Sequence, residues 1–171
     1  TNLQFFIRHQ NKAKTFLVTS SISGEGKSFC SLNLAAIFAL SGKKTILVGC
    51  DLRKPKSMSH LGLKGEFGVT NYLIGSSTEK QVIQTSGISN LDIILTGPKP
   101  PNPSELLLTE RIDELFAYLK EHYEYIVLDS PPLGLISDPL ILAKYSDTVI
   151  YIVRQNFTRR LHLDALNKLH T

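Results

Sequence analysis

The chain has 171 residues, 42% hydrophobic and 20% charged, with a formal net charge of +4. That is the composition of one soluble globular domain, and its basic and acidic residues are interleaved instead of massed, which argues against a nucleic-acid partner. Cys30 and Cys50 stand far apart and the five histidines are scattered without a metal-ligand spacing, so the sequence gives no support for a disulfide framework or a Cys/His metal centre, and no apolar run approaches the roughly 20 residues that cross a bilayer.

In chain order, residues 16–19 form a short apolar run that reads as a strand buried on both faces of a sheet. The run leads into "SISGEGKS", where Gly24 and Gly26 free the backbone, and a helical pattern follows at once over 28–40, ended by Gly42. The backbone N–H groups of Ser23, Gly24, Glu25, Gly26, Lys27, Ser28 and Phe29 can converge there on phosphate oxygens, aided by the helix N-terminus. Lys27 is the residue to reach the β- and γ-phosphates and Ser28 the one to place its hydroxyl on Mg²⁺, so the expected ligand is ATP or ADP with Mg²⁺. Ser21 stands where such loops usually carry their first glycine. A small residue serves there provided its φ is negative.

A second strand over 45–48 runs towards Asp51 and the basic group Arg53, Lys54 and Lys56. Residues 54–89 are less regular, with a short helix expected between the glycine turns of "GEFGVTNYLIG". A third strand, 91–95, and the proline-bound "TGPKPPNP" lead to a helix over 105–121, opened by the cap and first-turn proline of Asn102-Pro103-Ser104-Glu105. The fourth strand, 125–128, is closed by Asp129 and Ser130-Pro131-Pro132. Asp138-Pro139 repeats the cap-plus-proline start for a helix over 139–145, and a strand over 148–153 and a helical pattern over 159–169 complete the series. This alternation predicts a three-layer α/β fold, a mostly parallel sheet flanked by helices, with ligands bound beyond the carboxyl ends of the strands. Residues 1–171 read as a single domain.

A phosphate cradle needs a metal-holding acid at the tip of a neighbouring strand. Asp129, at the end of "YEYIVLD", is the first candidate for Mg²⁺, and Asp51 is the second, as a metal ligand or catalytic acid. The expected catalytic set is therefore Lys27, Asp51 and Asp129, and the expected metal set Ser28, Asp51 and Asp129. Arg53 reads either as a phosphate or interface contact or as a surface ion pair, and Asp138 as a helix cap.

"TSSISGEGKS", "ILVGCDLRKP" and "YIVLDSPPLGLISDPLILAKYSDTVIYIVR" together resemble the cytoplasmic domain of bacterial tyrosine kinases, the autokinases coupled to capsular and exopolysaccharide export. The resemblance runs over essentially the whole chain. It implies the P-loop NTPase fold shared with the MinD/ParA group, Mg·ATP as cofactor, and autophosphorylation on tyrosine. It also implies a homo-oligomer at the cytoplasmic face of the bacterial cell membrane, attached to a transmembrane chain-length regulator that is fused or separate. The substrate it implies is the tyrosine-rich tail of a neighbouring subunit. The family's loop and acid roles fall on Gly24, Gly26, Lys27, Ser28, Asp51 and Asp129.

Three departures set the chain apart. The family's second motif reads aspartate-x-aspartate-x-arginine, and here it is Gly49-Cys50-Asp51-Leu52-Arg53, so the first acid, a candidate to accept the tyrosine proton, is missing. The tyrosines, Tyr72, Tyr118, Tyr123, Tyr125, Tyr145 and Tyr151, are dispersed and not gathered in a tail. The chain opens at "TNLQF", just after the place of the family's glutamate–arginine–arginine helix, and closes on a helix where one more strand is expected; it reads as a domain trimmed at both ends. Two other readings stand beside the kinase. One is a nucleotide-binding regulatory module that transfers no phosphate, which Gly49 favours. The other is a MinD/ParA-type ATPase, which Ile22 disfavours because those proteins carry a signature lysine at that place.

Overall fold

The computed structural model describes residues 13–55, 62–63, 65–134 and 137–163. Lys56, the opening "TNLQF" and the larger part of the helical pattern over 159–169 lie outside them; within that pattern residues 160–163 form one 3₁₀ turn.

Six strands make one sheet: β1 (Lys14–Ser20), β2 (Thr45–Gly49), β3 (Ile83–Thr85), β4 (Leu91–Ile94), β5 (Tyr125–Asp129) and β6 (Thr148–Ile152), in the spatial order β3-β4-β2-β5-β1-β6. All neighbouring pairs are parallel except β3 and β4. The interior strands are largely apolar because both faces are covered, and the pleat divides each strand between two cores. On one face Phe16, Val18, Leu47, Ile93 and Val127 meet Ala35, Phe38 and Ala39 of α1 (Lys27–Leu40). The Phe38 ring stacks 4.4 Å from Tyr125 and lies 5.1 Å from Phe16. On the other face Leu17, Ile46, Val48, Ile126 and Leu128 bury the apolar stripe of α5 (Glu110–His122), namely Ile112, Leu115, Phe116 and Leu119. The short helices α2 (Val69–Leu73) and α6 (Asp138–Ala143) add Val69, Tyr72 and Leu142 to that face.

The structure departs from the sequence expectation in three places. The single helix expected over 105–121 is two: α4 (Pro103–Leu106), opened by Asn102 as expected, and α5. Between them Thr109 turns extended (φ −77°, ψ 153°) and donates its hydroxyl to the Leu106 carbonyl at 2.8 Å. The break sends Leu107 fully into the core and leaves Leu108 exposed. Strand β3 follows α3 (Glu79–Val82) in the stretch read as irregular, and it is an antiparallel edge strand of three residues, too short to leave a pattern. Asp138 lies one residue inside α6, whose cap is Ser137.

What the topology does for the site is set by register. Asp129 on β5 pairs with Val18 on β1 and with Gly49 on β2, so three strand tips end side by side. The phosphate loop leaves from one tip and Asp51 from another. Leu115, fully buried on α5, tests the core beneath: Leu115→Ala is expected to cost about 2–5 kcal/mol in urea unfolding.

Candidate phosphate-binding site

β1 gives way at Ser20 to a loop that re-enters helix at Lys27. Gly24 (φ +91°) and Gly26 (φ +95°) occupy the left-handed region, which explains both glycines. Ser21 does not: among the described residues only Asn90 and Asn156 are non-glycines with positive φ. Ser21 is buried, and its hydroxyl shares a 2.6 Å hydrogen bond with Tyr151. The loop is therefore built with a serine in the glycine's place at no backbone strain.

Lys27 is buried at the base of the loop, where its Nζ donates to Ser20 Oγ at 3.0 Å and to the Ile22 carbonyl at 3.4 Å. Ser28, one residue into the helix, donates its hydroxyl to Asp129 Oδ2 in a very short hydrogen bond. Asp129 and Asp51 are both buried. The Asp51 carboxylate accepts the Lys54 N–H at 3.1 Å, and the Lys54 ammonium reaches Ser23 Oγ at 3.4 Å. Both carboxylates flank Cys50, whose thiol is pushed far up, first by burial and then by the charges of Asp129 and Asp51. The loop, Lys27, Ser28 and the two acids are thus brought to one end of the sheet. Phe29, in the first turn of the helix, is exposed.

Glu25 behaves differently from its neighbours. It is buried, its Oε2 accepts the Ile22 N–H at 2.8 Å, and its Oε1 accepts the Thr158 hydroxyl. Burial works to raise its carboxyl, but the Ile22 N–H, the Thr158 and Ser20 hydroxyls and the Lys27 charge together hold it below the usual carboxylate range. The charge therefore stays inside the loop at neutral pH.

The loop's second wall is the segment after β5. Ser130 N and Leu133 N donate to the carbonyls of Val18 and Ser20 at 3.1 and 2.8 Å, Gly134 N donates to Ser21 at 3.0 Å, and Thr19 Oγ1 donates to Pro131 at 3.0 Å. Sequence reasoning missed this staple, and it missed Tyr151, Arg154, Phe157 and Thr158 beside the loop. None has a local signal, because each acts on residues more than a hundred positions away.

Arg53 forms an ion pair, as one of its two readings had it, but the acid it meets is buried. Its Nε pairs with Asp138 Oδ2 at 3.0 Å and its Nη2 donates to Ser104 Oγ at 2.6 Å, while Ser104 donates to Asp138 Oδ1 at 2.6 Å. Asp138 is fully buried and Arg53 is 38% exposed, so the pair ties the segment after β2 to the starts of α4 and α6. Gly49 is also explained by contact: a Cβ there would lie 2.9 Å from Thr96 Oγ1 and 3.1 Å from Thr96 N. Among the described residues no three His, Cys, Asp or Glu side chains gather as metal ligands, and no helix is long and apolar enough to cross a membrane.

Residues 13–160 match the family described as AAA domain. The chain is 34% identical to the tyrosine-protein kinase YwqD of Bacillus subtilis over 94% of its length and 67% of that protein's. It is 33% identical to CapB of Staphylococcus aureus over 86% of its length, spanning 65% of CapB. The tyrosine-protein kinase Etk of Escherichia coli is far longer, and the chain, 32% identical, spans 21% of it. Among solved structures, the kinase domain of Escherichia coli ETK superposes with a TM-score of 0.91 at 28% identity, covering 99% of this chain and 67% of that one. The septum site-determining protein MinD of Pyrococcus horikoshii shares the fold at a TM-score of 0.69 and 20% identity, over 82% of this chain and 58% of its own.

The Arg53–Asp138 pair gives an asymmetric expectation. Arg53→Ala strands a buried carboxylate and should cost about 2–3 kcal/mol, whereas Asp138→Ala frees a guanidinium to turn to water and should cost less, both read from urea unfolding.

Proposed function

The chain belongs to the AAA domain family and to the tyrosine-protein kinases of bacteria, and from that membership we propose that it is an ATP-dependent autokinase domain of a capsular or exopolysaccharide system. The observation that carries the proposal is the Ser28 hydroxyl held on Asp129 at the mouth of a glycine loop, with Lys27 buried beneath.

Phosphoryl transfer needs positioning and charge stabilisation more than covalent chemistry. Lys27 is held by Ser20 and Ile22 with its ammonium inside the loop, where it would meet the β- and γ-phosphate oxygens. The N–H groups of Ser23 to Phe29, opened by Gly24 and Gly26, would take the remaining oxygens. Ser28 and Asp129 offer hard oxygen donors already in contact, with Asp51 on the adjoining strand tip, and this donor set fits Mg²⁺. Bound there, the ion would neutralise charge gathering on the phosphates. The tyrosine oxygen would form its bond to the γ-phosphorus as the bond to the ADP oxygen breaks. With no side chain at Gly49, its proton would pass to Asp51 or Asp129, the two acids at the strand tips.

Four of the chain's six tyrosines are poor acceptors where they stand. Tyr72 and Tyr145 are pushed up to about 12, first by burial and then by hydrogen bonds to Glu79 and Asp113, and Tyr123 is raised by burial and by Asp92 in the same way. Tyr125 is buried against Phe38. A substrate tyrosine from a neighbouring subunit's tail suits this arrangement better. The native assembly proposed is a homo-oligomer at the cytoplasmic face of the membrane, joined to a transmembrane chain-length regulator. The much greater length of Etk supports a fused form.

A second reading, an ATP-binding regulatory module that transfers no phosphate, is favoured by Gly49, whose side-chain space Thr96 fills. Incubation of the full-length protein with Mg·ATP and detection of phosphotyrosine separates the two. Phosphotyrosine on the intact protein, lost by about a hundredfold or more in Lys27→Met, supports the kinase; ATP binding without phosphotyrosine favours the module. Gly49→Asp alone must displace Thr96, so the informative variant combines it with Thr96→Ala. That double variant should autophosphorylate about 10²-fold faster than Thr96→Ala alone, the low end of what a positioned base supplies, in a quenched-flow assay.

A further inference from the structure

β6 and the turn after it grip the phosphate loop at three residues. Tyr151 on β6 meets Ser21 at 2.6 Å. Arg154 Nη1 donates to the Gly24 carbonyl at 3.0 Å while its guanidinium lies over the Phe157 ring, 4.9 Å from the centroid. Phe157 in turn sits against Gly24, where a Cβ would come within 3.2 Å of the ring. The Thr158 hydroxyl bonds Glu25.

The turn is ordered by its own hydrogen bonds. Phe157 N and Thr158 N donate to the Arg154 carbonyl at 3.1 and 2.9 Å, and Asn156 takes a positive φ of 59°. Arg154 N donates to Thr158 Oγ1 at 2.9 Å. A hydroxyl has one proton, and since Thr158 Oγ1 accepts from Arg154, that proton is left for the Glu25 carboxylate. A connected path results: Arg154 N–H donates to Thr158, Thr158 O–H donates to one Glu25 oxygen, and the other Glu25 oxygen accepts the Ile22 N–H at 2.8 Å. The Ile22 carbonyl then receives Lys27 Nζ at 3.4 Å and Ser20 Oγ at 2.9 Å.

A carboxylate in a loop that receives phosphate repels its ligand, and the repulsion is least where its oxygens are turned to donors inside the protein. Glu25 is buried and spends both oxygens on the loop and the turn, which turns a liability into a strut. From this geometry we infer that Thr158 is a positioning residue for the phosphate loop: acting through Glu25, it fixes Ile22 and with it the place of the Lys27 ammonium. The inference rests on the nucleotide site proposed above and adds to it a strut from outside the loop. Thr158 touches no phosphate; it sets the geometry of the groups that do.

The test compares ADP affinity by calorimetry, and KM and kcat for ATP, in the full-length protein and in Thr158→Val, Thr158→Ser and Glu25→Gln, together with thermal unfolding in the absence of nucleotide. Thr158→Val keeps the shape and removes the hydroxyl. It should weaken ADP binding and raise KM about tenfold, the consequence of losing one charge-assisted hydrogen bond, with a smaller change in kcat. Thr158→Ser should restore wild-type affinity. Combining Thr158→Val with Glu25→Gln should cost no more than the worse single variant, because both break one path. Unaltered affinity in Thr158→Val, or losses that add in the double variant, overturns the inference, as does a lowered melting temperature with affinity intact. Should Thr158→Val not fold, Glu25→Gln carries the same decision: a tenfold loss supports the strut and unaltered affinity overturns it. No ADP binding by the unmodified protein overturns the nucleotide site itself, and the strut with it.

Discussion

The contact between the Ser28 hydroxyl and the Asp129 carboxylate joins residues 101 positions apart, and the site exists because the sheet brings them together. Val18 and Asp129 are register partners on β1 and β5, so the loop leaving β1 and the acid ending β5 emerge at the same level. A slip of one residue would turn Asp129 to the opposite face. Both cores forbid it: Phe16, Val18 and Val127 belong to the α1 face, and Leu17, Ile126 and Leu128 to the α5 face. The chemistry at the tip is thus held by packing on both sides of two strands. Beyond Asp129 the backbone of residues 130–134 stays beside the loop's root through the hydrogen bonds to Val18, Ser20 and Ser21.

The loop was legible because its signals are local. Glycine spacing, a strand before it and a helix after it are all read within about twenty residues, and the positive φ of Gly24 and Gly26 is what those residues are for. The five longer strands were legible for the same reason, being nearly continuous apolar runs. The split between α4 and α5 was not, because Leu106, Leu107, Ile112 and Leu115 are all buried and their spacing imitates one helix. What decides the break is Thr109 and the depth to which Leu107 must reach, and both depend on the opposing surface. Strand β3 has three residues, none buried, and it exists by pairing with β4 at the sheet's edge.

The side chains that hold the site in place were the least legible part. Asp138 before a proline fits a cap, yet it lies buried against Arg53, 85 positions away. An aspartate at a helix start looks the same in sequence whether it serves the helix or a distant guanidinium. Arg53, Lys54 and Asp51 then divide the segment after β2 between two tasks. Arg53 anchors it to the starts of α4 and α6, while Lys54 reaches from Asp51 to Ser23 of the loop. Of the basic cluster that stood out in the sequence, Arg53 and Lys54 serve as struts within the domain.

Gly49 shows how a missing side chain is bound up with the fold around it. Its register partner is Asp129, so an acid there would project at the site. Thr96, just past the end of β4, occupies that space, and Thr96 is not free to leave: its carbonyl accepts the Thr70 N–H at 3.0 Å, while the Leu95 carbonyl accepts Val69 N at 2.8 Å. The first turn of α2 is docked on the tip of β4 by these bonds, and α2 is in turn buried through Val69, Tyr72 and Leu73. Restoring bulk at position 49 therefore presses on a helix through a strand end. The absence of the acid is a property of how β2, β4 and α2 meet, and any gain in proton transfer from an acid there must exceed the cost of moving that junction.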